Sequence, residues 1–495
     1  MSGNRAGRPE TRMTKLKLDF VEKKLFVRLF AGDVYAVGGA VRDLIRGIPS
    51  PDVDILVARR PLREITARLR ENGRVDLVGK SFGIIKFTVD GRTYDVALPR
   101  TDAPRGADDG AKGHKDFVIS ADPGLPLEKD LERRDFRCNS MALRLKDGLL
   151  IDPFGGREDT QAKKIRLTNP SAFPDDPLRV LRVARFAAVL GFTVDPSIYA
   201  ASREVGLDGL SVERINEELF KILLRSTRPS VGFEEFFRLG VLDGLFPELA
   251  ALALVLQDSV FHPEKDAYGH HTVWQHTKLA VDQAAALART TDLDQGRKLT
   301  LLLAALYHDI GKRATTRWEF KRGRMAITSC GHDVLSGRLA RKVLTRFRIH
   351  SWNGYNVGLM VPLLIRTHHR AAELWQNRES VTKKAFNRLA ADIRGEIGLM
   401  IYLDAADRAG RRERLVRGLD REARWLFKRF EELRVNRETI RPLIMGRDLI
   451  ALGVAPGPGM GKILKQLYRI QLDNGFETKA KGLEKARKLI ERKRA

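Results

Sequence analysis

The 495-residue chain is too long for one hydrophobic core, because domains average about 150 residues, and three or four domains are expected. Its net charge of +26, from 89 basic and 63 acidic residues, predicts an anionic partner. Nucleic acid is favoured over a membrane, because the charge is spread along the chain, and a generally basic proteome is the alternative. The chain has no apolar run long enough to span a bilayer, and its first residues lack the apolar core of a secretory signal. It has only two cysteines, Cys138 and Cys330, which indicates a reducing compartment. These features predict a soluble protein of the cytoplasm.

A basic stretch without apolar periodicity, residues 1–20, is predicted to be a flexible arm. The first structured motif then follows as strand, glycine turn, helix and strand. These four parts are Tyr35–Val37, Gly38 with Gly39, Ala40–Arg46 and Asp52–Val57.

The chemistry of this motif is that of a nucleotide and metal site. Asp52 and Asp54 are two residues apart on the predicted strand, so they present two carboxylates on one face, where Mg²⁺ would neutralise them. Gly38 and Gly39 let the backbone approach a triphosphate, and Arg42 follows one helical turn later, where it can contact phosphate oxygens.

Further strands and a loop are predicted after this motif. Paired strands are expected over 75–89 and 93–98, and Asp95 either supplies a third carboxylate or is an ordinary edge-strand residue. The segment from Arg100 to Pro126 has no period and is rich in glycine and charge, which predicts a long flexible loop.

Two later stretches carry polar residues suited to nucleotide recognition. Arg133 and Arg134 can reach triphosphate and ribose, and Asn139 can hydrogen-bond a ribose hydroxyl. Asp176, Arg179 and Arg182 recur at three-residue spacing where a helix is predicted to begin, so they share one face.

The side chains on that helix face can recognise either of two bases, cytosine or adenine. A carboxylate accepts an exocyclic amino group, and a guanidinium donates to the neighbouring ring nitrogen. Cytosine and adenine both offer this order of donor and acceptor, whereas uracil and guanine offer the reverse. CTP and ATP would therefore be selected without a template. A surface ion pair at i,i+3 spacing is the alternative reading.

From about residue 246 the pattern is helical, and nine of the ten histidines lie between His262 and His369. The order of a histidine, an adjacent His-Asp pair and a distant aspartate resembles the HD phosphohydrolase superfamily, whose imidazoles and carboxylates enclose a divalent metal. The matching residues are His276, His308, Asp309 and Asp407. Three further histidines either complete the site or face solvent, namely His332, His368 and His369. A transition metal such as Ni²⁺ or Mn²⁺ is expected in this site.

The motifs, from about Tyr35 to Lys488, resemble in order those of the class II tRNA nucleotidyltransferase and bacterial poly(A) polymerase family of the DNA polymerase β superfamily. Arg137, Ser140 and Asp175 depart from the family pattern, where Thr, Ala and Glu are usual. The resemblance implies catalysis by Asp52 and Asp54. It also implies nucleotide binding by Gly38, Gly39, Arg42, Arg134, Asp135, Asn139, Asp176, Arg179, Arg182 and Arg185.

The resemblance implies an α+β fold with a small mixed-sheet nucleotidyltransferase head, followed by an all-helical neck, body and tail. After the arm at 1–20, the implied boundaries are 21–165 for the head, 166–245 for the neck, 246–435 for the HD body and 436–495 for a tRNA-binding tail. The tail contains a Gly-Pro turn between helices and a Lys/Arg-rich last helix, which suit contact with a phosphate backbone.

The implied function is Mg²⁺-dependent addition of CCA to the 3′ end of tRNA from CTP and ATP. The HD body would add phosphatase or 2′,3′-cyclic phosphodiesterase activity. An enzyme that adds only CC or only A, a poly(A) polymerase and a non-catalytic RNA-binding protein are the alternatives. The sequence does not indicate the oligomeric state, and no membrane partner is expected.

Overall fold

The computed structural model describes residues 14–50, 52–78, 84–104, 117–321, 323–433, 435, 441–473 and 475–494. They form two compact units. The first comprises the chain up to Ile222 together with Val231–Leu245, and the second comprises Leu223–Ser230 and the chain from Phe246 onward. No helix in these described ranges combines the length and apolar character needed to cross a membrane.

The first unit contains eleven of the strands and ten of the helices of the described chain. The strands are β1 Val34–Val37, β2 Asp54–Val57, β3 Arg74–Val78, β4 Ile84–Val89, β5 Arg92–Ala97, β6 Arg100–Pro104, β7 Phe117–Ala121, β8 Ala142–Arg144, β9 Leu150–Ile151, β10 Lys164–Ile165 and β11 Thr193–Val194. The helices are α1 Lys23–Phe30, α2 Gly39–Ile45, α3 Leu62–Arg70, α4 Leu127–Glu132, α5 Gly156–Gln161, α6 Leu178–Leu190, α7 Ser197–Arg203, α8 Val212–Arg225, α9 Pro229–Arg238 and α10 Val241–Leu245. Helices α8 and α9 extend into the residues assigned to the second unit.

The head is built on a seven-stranded mixed sheet in the order β3-β4-β5-β2-β1-β8-β9. The β2 and β5 strands pair in parallel, whereas β1 pairs with β2 and with β8 in antiparallel fashion. This arrangement confirms the predicted α+β head with a small mixed sheet, including the pairing of the strands predicted over 75–98.

The two faces of the sheet follow from the alternation of side chains along each strand. Ile55 and Val96 belong to one apolar cluster with Phe26 of α1, and Leu56 belongs to another with Leu131 of α4. Asp54 lies two residues before Leu56, so its side chain is on the α4 face of the sheet.

Two predictions about the head need correction. The second strand begins at Asp54, where the β1 ladder ends opposite Val37, so Asp52 precedes the strand instead of lying on it. Of the long loop expected from Arg100 to Pro126, the two ends form the antiparallel pair β6 and β7, because their backbones hydrogen-bond to each other. Residues 105–116, within that predicted loop, lie outside the described residues.

The predicted flexible arm also needs correction in its last residues. Residues 1–13 lie outside the described part of the chain. Leu16 donates its backbone N–H to Gly148 at 2.8 Å, and Leu18 is buried in the head core. This end of the arm is packed because Leu18 supplies apolar surface to the core.

The second unit is mainly helical. Its helices are α11 Pro247–Ala250, α12 Val273–Arg289, α13 Gln295–Tyr307, α14 Lys312–Thr315, α15 His332–Arg346, α16 Val357–Gln376, α17 Lys383–Asp392, α18 Ile397–Ala409, α19 Arg421–Glu432, α20 Gly446–Ala451, α21 Pro458–Leu472 and α22 Lys479–Arg494. An antiparallel hairpin, β12 Arg317–Lys321 with β13 Arg324–Thr328, interrupts the region predicted to be wholly helical. The predicted "all-helical" neck also contains the strand β11, which pairs in parallel with β10 at the end of the predicted head.

The last three helices share a small apolar cluster of their own, which includes Leu449, Leu467, Phe476 and Ile490. Helix α21 begins at Pro458, directly after Gly457, as expected for a Gly-Pro turn between helices. The predicted order of helix, turn and helix, followed by a basic helix, is therefore present.

Candidate active sites

The glycine turn, a carboxylate and a guanidinium converge in the head. Gly38 has a φ of +69°, a backbone conformation that favours glycine. A Cβ atom placed on Gly38 would lie 3.1 Å from Nη1 of Arg134 and 3.8 Å from Oδ2 of Asp54. Arg134 comes from the end of α4, where Asp130 accepts from its Nη2 at 3.1 Å. Gly38 therefore keeps the space between a cation and an anion open.

Asp52 and Asp95 contribute to the electrostatics around Asp54. Burial raises the pKa of Asp54, Arg134 opposes this, and the carboxylates of Asp95 and Asp52 add to the rise. Asp95 also pairs with Lys86 at 3.3 Å on the neighbouring strand. Crowded carboxylates of this kind favour a bound cation.

Among the residues that the structure describes, the head contains no group of three His, Cys, Asp or Glu ligand atoms close enough together to hold a metal ion. The described ranges contain three groups of His, Asp or Glu whose ligand atoms, within each group, lie within 4.8 Å of one another. All three groups are between His262 and His369. The open carboxylate pair in the head suits Mg²⁺, which takes one or two protein carboxylates and completes its shell with substrate phosphates and water.

A series of buried hydrogen bonds connects α2, which begins at Gly39, to α6. Arg42 donates from Nη1 to Oδ1 of Asn139 at 2.7 Å, and the Asn139 amide donates to Oδ1 of Asp135 at 3.3 Å. Arg182 donates from Nε to Oδ2 of Asp135 at 2.7 Å. Burial raises the pKa of Asp135, but Arg182 and the Phe136 backbone N–H outweigh it, so the pKa is below its usual range. Arg42, Asp135, Asn139 and Arg182, four of the predicted nucleotide-binding residues, thus form one network.

The proposed base-reading side chains already have partners, yet each retains hydrogen-bonding capacity. Asp176 accepts twice from Nη2 of Arg214 at 3.0 Å and once from the backbone N–H of Leu178 at 3.2 Å. Arg179 donates to the carbonyls of Ala172 at 2.6 Å and Arg133 at 2.7 Å. A guanidinium has five N–H donors and a carboxylate about four acceptor positions, so both groups can still contact a base.

Arg185 and the three residues that depart from the family pattern are placed differently. Arg185 pairs with Glu218 and lies 3.9 Å from the Phe186 ring centroid, which is a structural contact. Arg137 donates from Nε to the carbonyl of Leu167 at 3.2 Å. The buried Ser140 hydroxyl lies 2.6 Å from Oγ1 of Thr168, so it has a partner that alanine would lack. Asp175 ends a short 3₁₀ helix, Pro170–Asp175, just before Asp176.

In the second unit, the four predicted HD residues come together. Nε2 of His276 lies 2.8 Å from Oδ1 of Asp407 and 3.9 Å from Oδ2 of Asp309. Nε2 of His308 lies 3.2 Å from Oδ2 of Asp309 and 3.7 Å from Oδ1 of Asp407. These side chains come from α12, from the end of α13 with the residue after it, and from α18.

The three remaining histidines that the sequence left open adjoin the same aspartate. Oδ1 of Asp309 lies 3.2 Å from Nε2 of His332, whose Nε2 is 3.1 Å from Nε2 of His369. The ring centroids of His368 and His308 are 5.5 Å apart. The two oxygens of Asp309 therefore face two groups of imidazoles, with His276 and His308 on one side and His332, His368 and His369 on the other.

The donor set fits a divalent transition metal. Nε2 of His368 is buried and makes no hydrogen bond within the described structure, which is unfavourable unless another ligand engages it. Nε2 of His308 faces the carboxylates of Asp309 and Asp407. Each ring donates its Nδ1–H to a backbone carbonyl, that of Ala305 for His308 and that of Ile365 for His368. Such bonds to the second nitrogen are typical of metal-binding histidines.

Charge is unevenly distributed across this cluster of histidines and aspartates. Burial lowers the pKa of His308, but Asp309 and Asp407 outweigh it and raise the pKa to about 10. Burial and the neighbouring His369 hold the pKa of His368 well below its usual value. A metal that binds between His276 and His308 must displace the protons on these imidazoles, so we expect metal binding to depend on pH.

Sequence reasoning assigned no role to Glu264, His262 and Lys312, which border this cluster. Oε1 of Glu264 lies 3.0 Å from Nδ1 of His276 and 3.0 Å from Nδ1 of His262. Lys312 is buried, with Nζ 2.7 Å from Oδ2 of Asp309. The segment from Leu256 to Thr272 has no periodic pattern, and the His-Pro-Glu order at 262–264 was the only available signal.

Three family models match separate parts of the chain. "Poly A polymerase head domain" matches residues 34–166, "Probable RNA and SrmB- binding site of polymerase A" matches 191–252, and "HD domain" matches 273–392. Their order along the chain is the order of the motifs described above.

Curated proteins and solved structures resemble the chain over most of its length. It is 35% identical to the "Multifunctional CCA protein" of Methylococcus capsulatus (strain Bath) over 88% of this chain and 92% of that protein. It is 39% identical to the protein of that name from Stenotrophomonas maltophilia (strain K279a), over 58% of this chain and 66% of that protein.

The structural matches support the fold. The Bacillus stearothermophilus CCA-adding enzyme in complex with CTP aligns with a TM-score of 0.60 and 22% identity, covering 95% of this chain and 97% of that chain. The Thermotoga maritima CCA-adding enzyme complexed with tRNA aligns with a TM-score of 0.52 and 20% identity, covering 94% of each chain.

Proposed function

The chain belongs to the family of the multifunctional CCA proteins, and from this premise we propose that it adds CCA to the 3′ end of tRNA from CTP and ATP. The observation that carries the proposal is the convergence of Gly38, Arg134 and Asp54, where a Cβ atom would intrude between guanidinium and carboxylate. A site with an open backbone, one cation and adjacent carboxylates is suited to a metal-bound triphosphate.

In the proposed head mechanism, Asp52 and Asp54 would hold Mg²⁺. When bound, this ion would assist attack of the tRNA 3′ hydroxyl on the α-phosphate and neutralise the departing pyrophosphate. Arg134 contacts the triphosphate beside Gly38 and Gly39. The hydrogen bonds that join Arg42, Asn139 and Asp135 fix the helix after Gly38 and Gly39 relative to α6. Asn139 is assigned the further role of hydrogen-bonding a ribose hydroxyl.

Base selection is assigned to Asp176 and Arg179. Asp176 accepts the exocyclic amino group of cytosine or adenine, and Arg179 donates to the adjacent ring nitrogen. The carbonyls of Ala172 and Arg133 hold the Arg179 guanidinium in a fixed orientation. Arg182 supports the site by pairing with Asp135, and Arg185 stabilises α6 through Glu218.

The second unit is proposed to be a metal-dependent phosphatase or 2′,3′-cyclic phosphodiesterase acting on tRNA ends. His276, His308, Asp309 and Asp407 would hold a transition metal such as Ni²⁺ or Mn²⁺, and His332, His368 and His369 offer a second group of ligands across Asp309. A metal in this site would polarise a phosphate ester and provide an activated water. Glu264 fixes the ring of His276 through Nδ1.

The remaining proposals follow from the tRNA substrate. The basic C-terminal helices would contact its phosphate backbone, and the proposed location is the cytoplasm.

Nucleotide competition tests the base-selection assignment. Wild-type protein is expected to incorporate CTP and ATP and to reject UTP and GTP, whereas Asp176→Ala and Arg179→Ala relax this discrimination. Asp175→Ala is the matched control, because it removes the adjacent carboxylate. Equal discrimination in all four proteins would contradict the assignment.

A further inference from the structure

One hairpin with no part in either proposed site exposes two aromatic rings. Trp318 of β12 is 64% exposed and Phe320 is 72% exposed. The register pairs Trp318 with Ile327 and Phe320 with Met325, so these side chains share one face. Apolar surface of this kind, left open to water on a folded unit, marks an interaction site.

The opposite face of the hairpin is firmly attached to the second unit. Both terminal nitrogens of Arg324 donate to the Asp258 carboxylate, at 2.8 and 2.9 Å, and the Ile327 backbone N–H donates to the same group at 3.3 Å. Ala326 is buried. The aromatic face is therefore presented outward by an anchored element.

The hairpin also connects two parts of the metal cluster. It follows α14, which begins at Lys312, and it leads into α15, which begins at His332. At its base, the hydroxyls of Thr316 and Ser329 are 2.9 Å apart. The Ser329 carbonyl lies 2.7 Å from Nδ1 of His332. A ligand lying on the hairpin would therefore be adjacent to the cluster around Asp309.

The charges around the rings select the class of ligand. Arg313, just before the hairpin, is exposed. On the strand that carries the rings, Arg317 and Lys321 outnumber the one carboxylate, Glu319, and these three side chains alternate with the rings onto the other face. A second copy of this chain would bring the same cations to the contact, and its net charge of +26 would oppose association. Single-stranded RNA instead offers flat apolar bases together with phosphates.

We infer that the β12–β13 hairpin is a stacking platform for the unpaired 3′-terminal nucleotides of RNA, and that it delivers their terminal phosphate to the cluster around Asp309. Trp318 and Phe320 are two residues apart on a strand, about 7 Å along it, which is about twice the spacing of stacked bases. Each ring can therefore stack on a separate base. The delivery part of this inference rests on the proposed phosphohydrolase function of the second unit.

Comparing the hydrolysis of a long and a short substrate distinguishes a loss of RNA binding at the hairpin from a loss of catalysis at the metal site. The full chain, loaded with Ni²⁺ or Mn²⁺, is given a single-stranded RNA of about twelve nucleotides ending in a 2′,3′-cyclic phosphate, or 2′,3′-cyclic AMP. In Trp318→Ala/Phe320→Ala, KM for the RNA should rise about tenfold for each ring removed. Its kcat and its activity on 2′,3′-cyclic AMP should remain unchanged. Trp318→Phe/Phe320→Tyr, which keeps both rings, should resemble wild type.

A binding measurement tests the platform even if the second unit proves inactive. Trp318 is the one strongly exposed tryptophan of the five, so RNA carrying a 3′-phosphate should quench its fluorescence, and Trp318→Phe should remove that signal. Quenching without any hydrolysis would keep the platform and reject the phosphohydrolase function. Absence of quenching, or an equal loss of activity on both substrates in the alanine variant, would overturn the platform.

Self-association is the competing explanation of the aromatic face. If the alanine variant converts a dimer to a monomer in sedimentation experiments while its kinetics with RNA stay at wild-type values, the face is an interface between copies and the inference is wrong. A wild-type protein whose sedimentation does not depend on the two rings supports the RNA platform.

Discussion

Gly38→Ala is predicted to damage nucleotide addition more than its effect on stability explains. The new Cβ would lie 3.1 Å from Nη1 of Arg134, closer than ordinary contact, and 3.8 Å from Oδ2 of Asp54. Arg134 cannot yield freely, because Asp130 holds it at 3.1 Å. Losing one charge-assisted hydrogen bond to the triphosphate costs about 1.5–3 kcal/mol. This corresponds to a fall of roughly 10-fold to 150-fold in kcat/KM for CTP.

Gly47→Ala is the matched control for this prediction. Gly47 has the same φ of +69°, but a Cβ there would meet nothing within 4 Å. Both variants should lose free energy of unfolding, because alanine is strained at positive φ: about 1–2 kcal/mol for Gly47→Ala and more for Gly38→Ala, whose ψ of −128° lies outside the left-handed helical region. Only Gly38→Ala should lose catalytic efficiency in steady-state incorporation of labelled CTP. The reasoning would be refuted if both variants lost activity equally, or if Gly38→Ala kept wild-type kinetics.

Three further predictions concern carboxylates. Asp54→Asn should abolish nucleotide addition while metal-dependent phosphodiester hydrolysis persists, and Asp309→Asn should do the reverse; loss of both activities in either variant would contradict two separate sites. Glu264→Gln should weaken Ni²⁺ or Mn²⁺ binding about 10-fold to 100-fold in titration calorimetry, and unchanged affinity would remove Glu264 from the account. The pKa of Asp135 is lowered in the fold, so its stabilisation is complete above the unfolded pKa and declines as pH falls below about 4; urea unfolding should show this decline, and Asp135→Asn should flatten it.

Local pattern predicts those parts of the molecule whose geometry is local. A short apolar run and the glycine pair at 38–39 indicate the first strand, turn and helix, and the structure has them at Val34–Val37 and Gly39–Ile45. The HD order in the sequence likewise identifies side chains that the fold brings within hydrogen-bonding distance, such as His276 and Asp407 at 2.8 Å.

Tertiary pairing could not be derived in this way. Arg42 and Asn139 are 97 residues apart in the chain, and only the packed head shows that their side chains are bonded. The partners of Arg182 and Arg185 are acidic residues on other elements, Asp135 and Glu218. Sequence spacing placed both arginines on a nucleotide-binding helix but could not indicate these ion pairs.

The β12–β13 hairpin shows where a signal was present and overlooked. Arg317 to Lys321 alternates polar and apolar residues, which is the period of a strand, yet the helical pattern on both sides led to a wholly helical prediction. The sequence carries a weaker signal for Glu264, because this residue lies in a non-periodic segment and its role depends on packing against His276.

The most direct test of the account is nucleotide addition to defined tRNA ends. The purified protein is incubated with Mg²⁺ and tRNA ending at the discriminator base, at the first C or at the second C, with labelled CTP or ATP, and products are resolved to single nucleotides. The account predicts addition of two C residues, then one A, and then no further extension. Addition of only C, only a terminal A, or an unlimited A ladder would contradict CCA addition, and absence of incorporation would contradict the nucleotidyltransferase head itself.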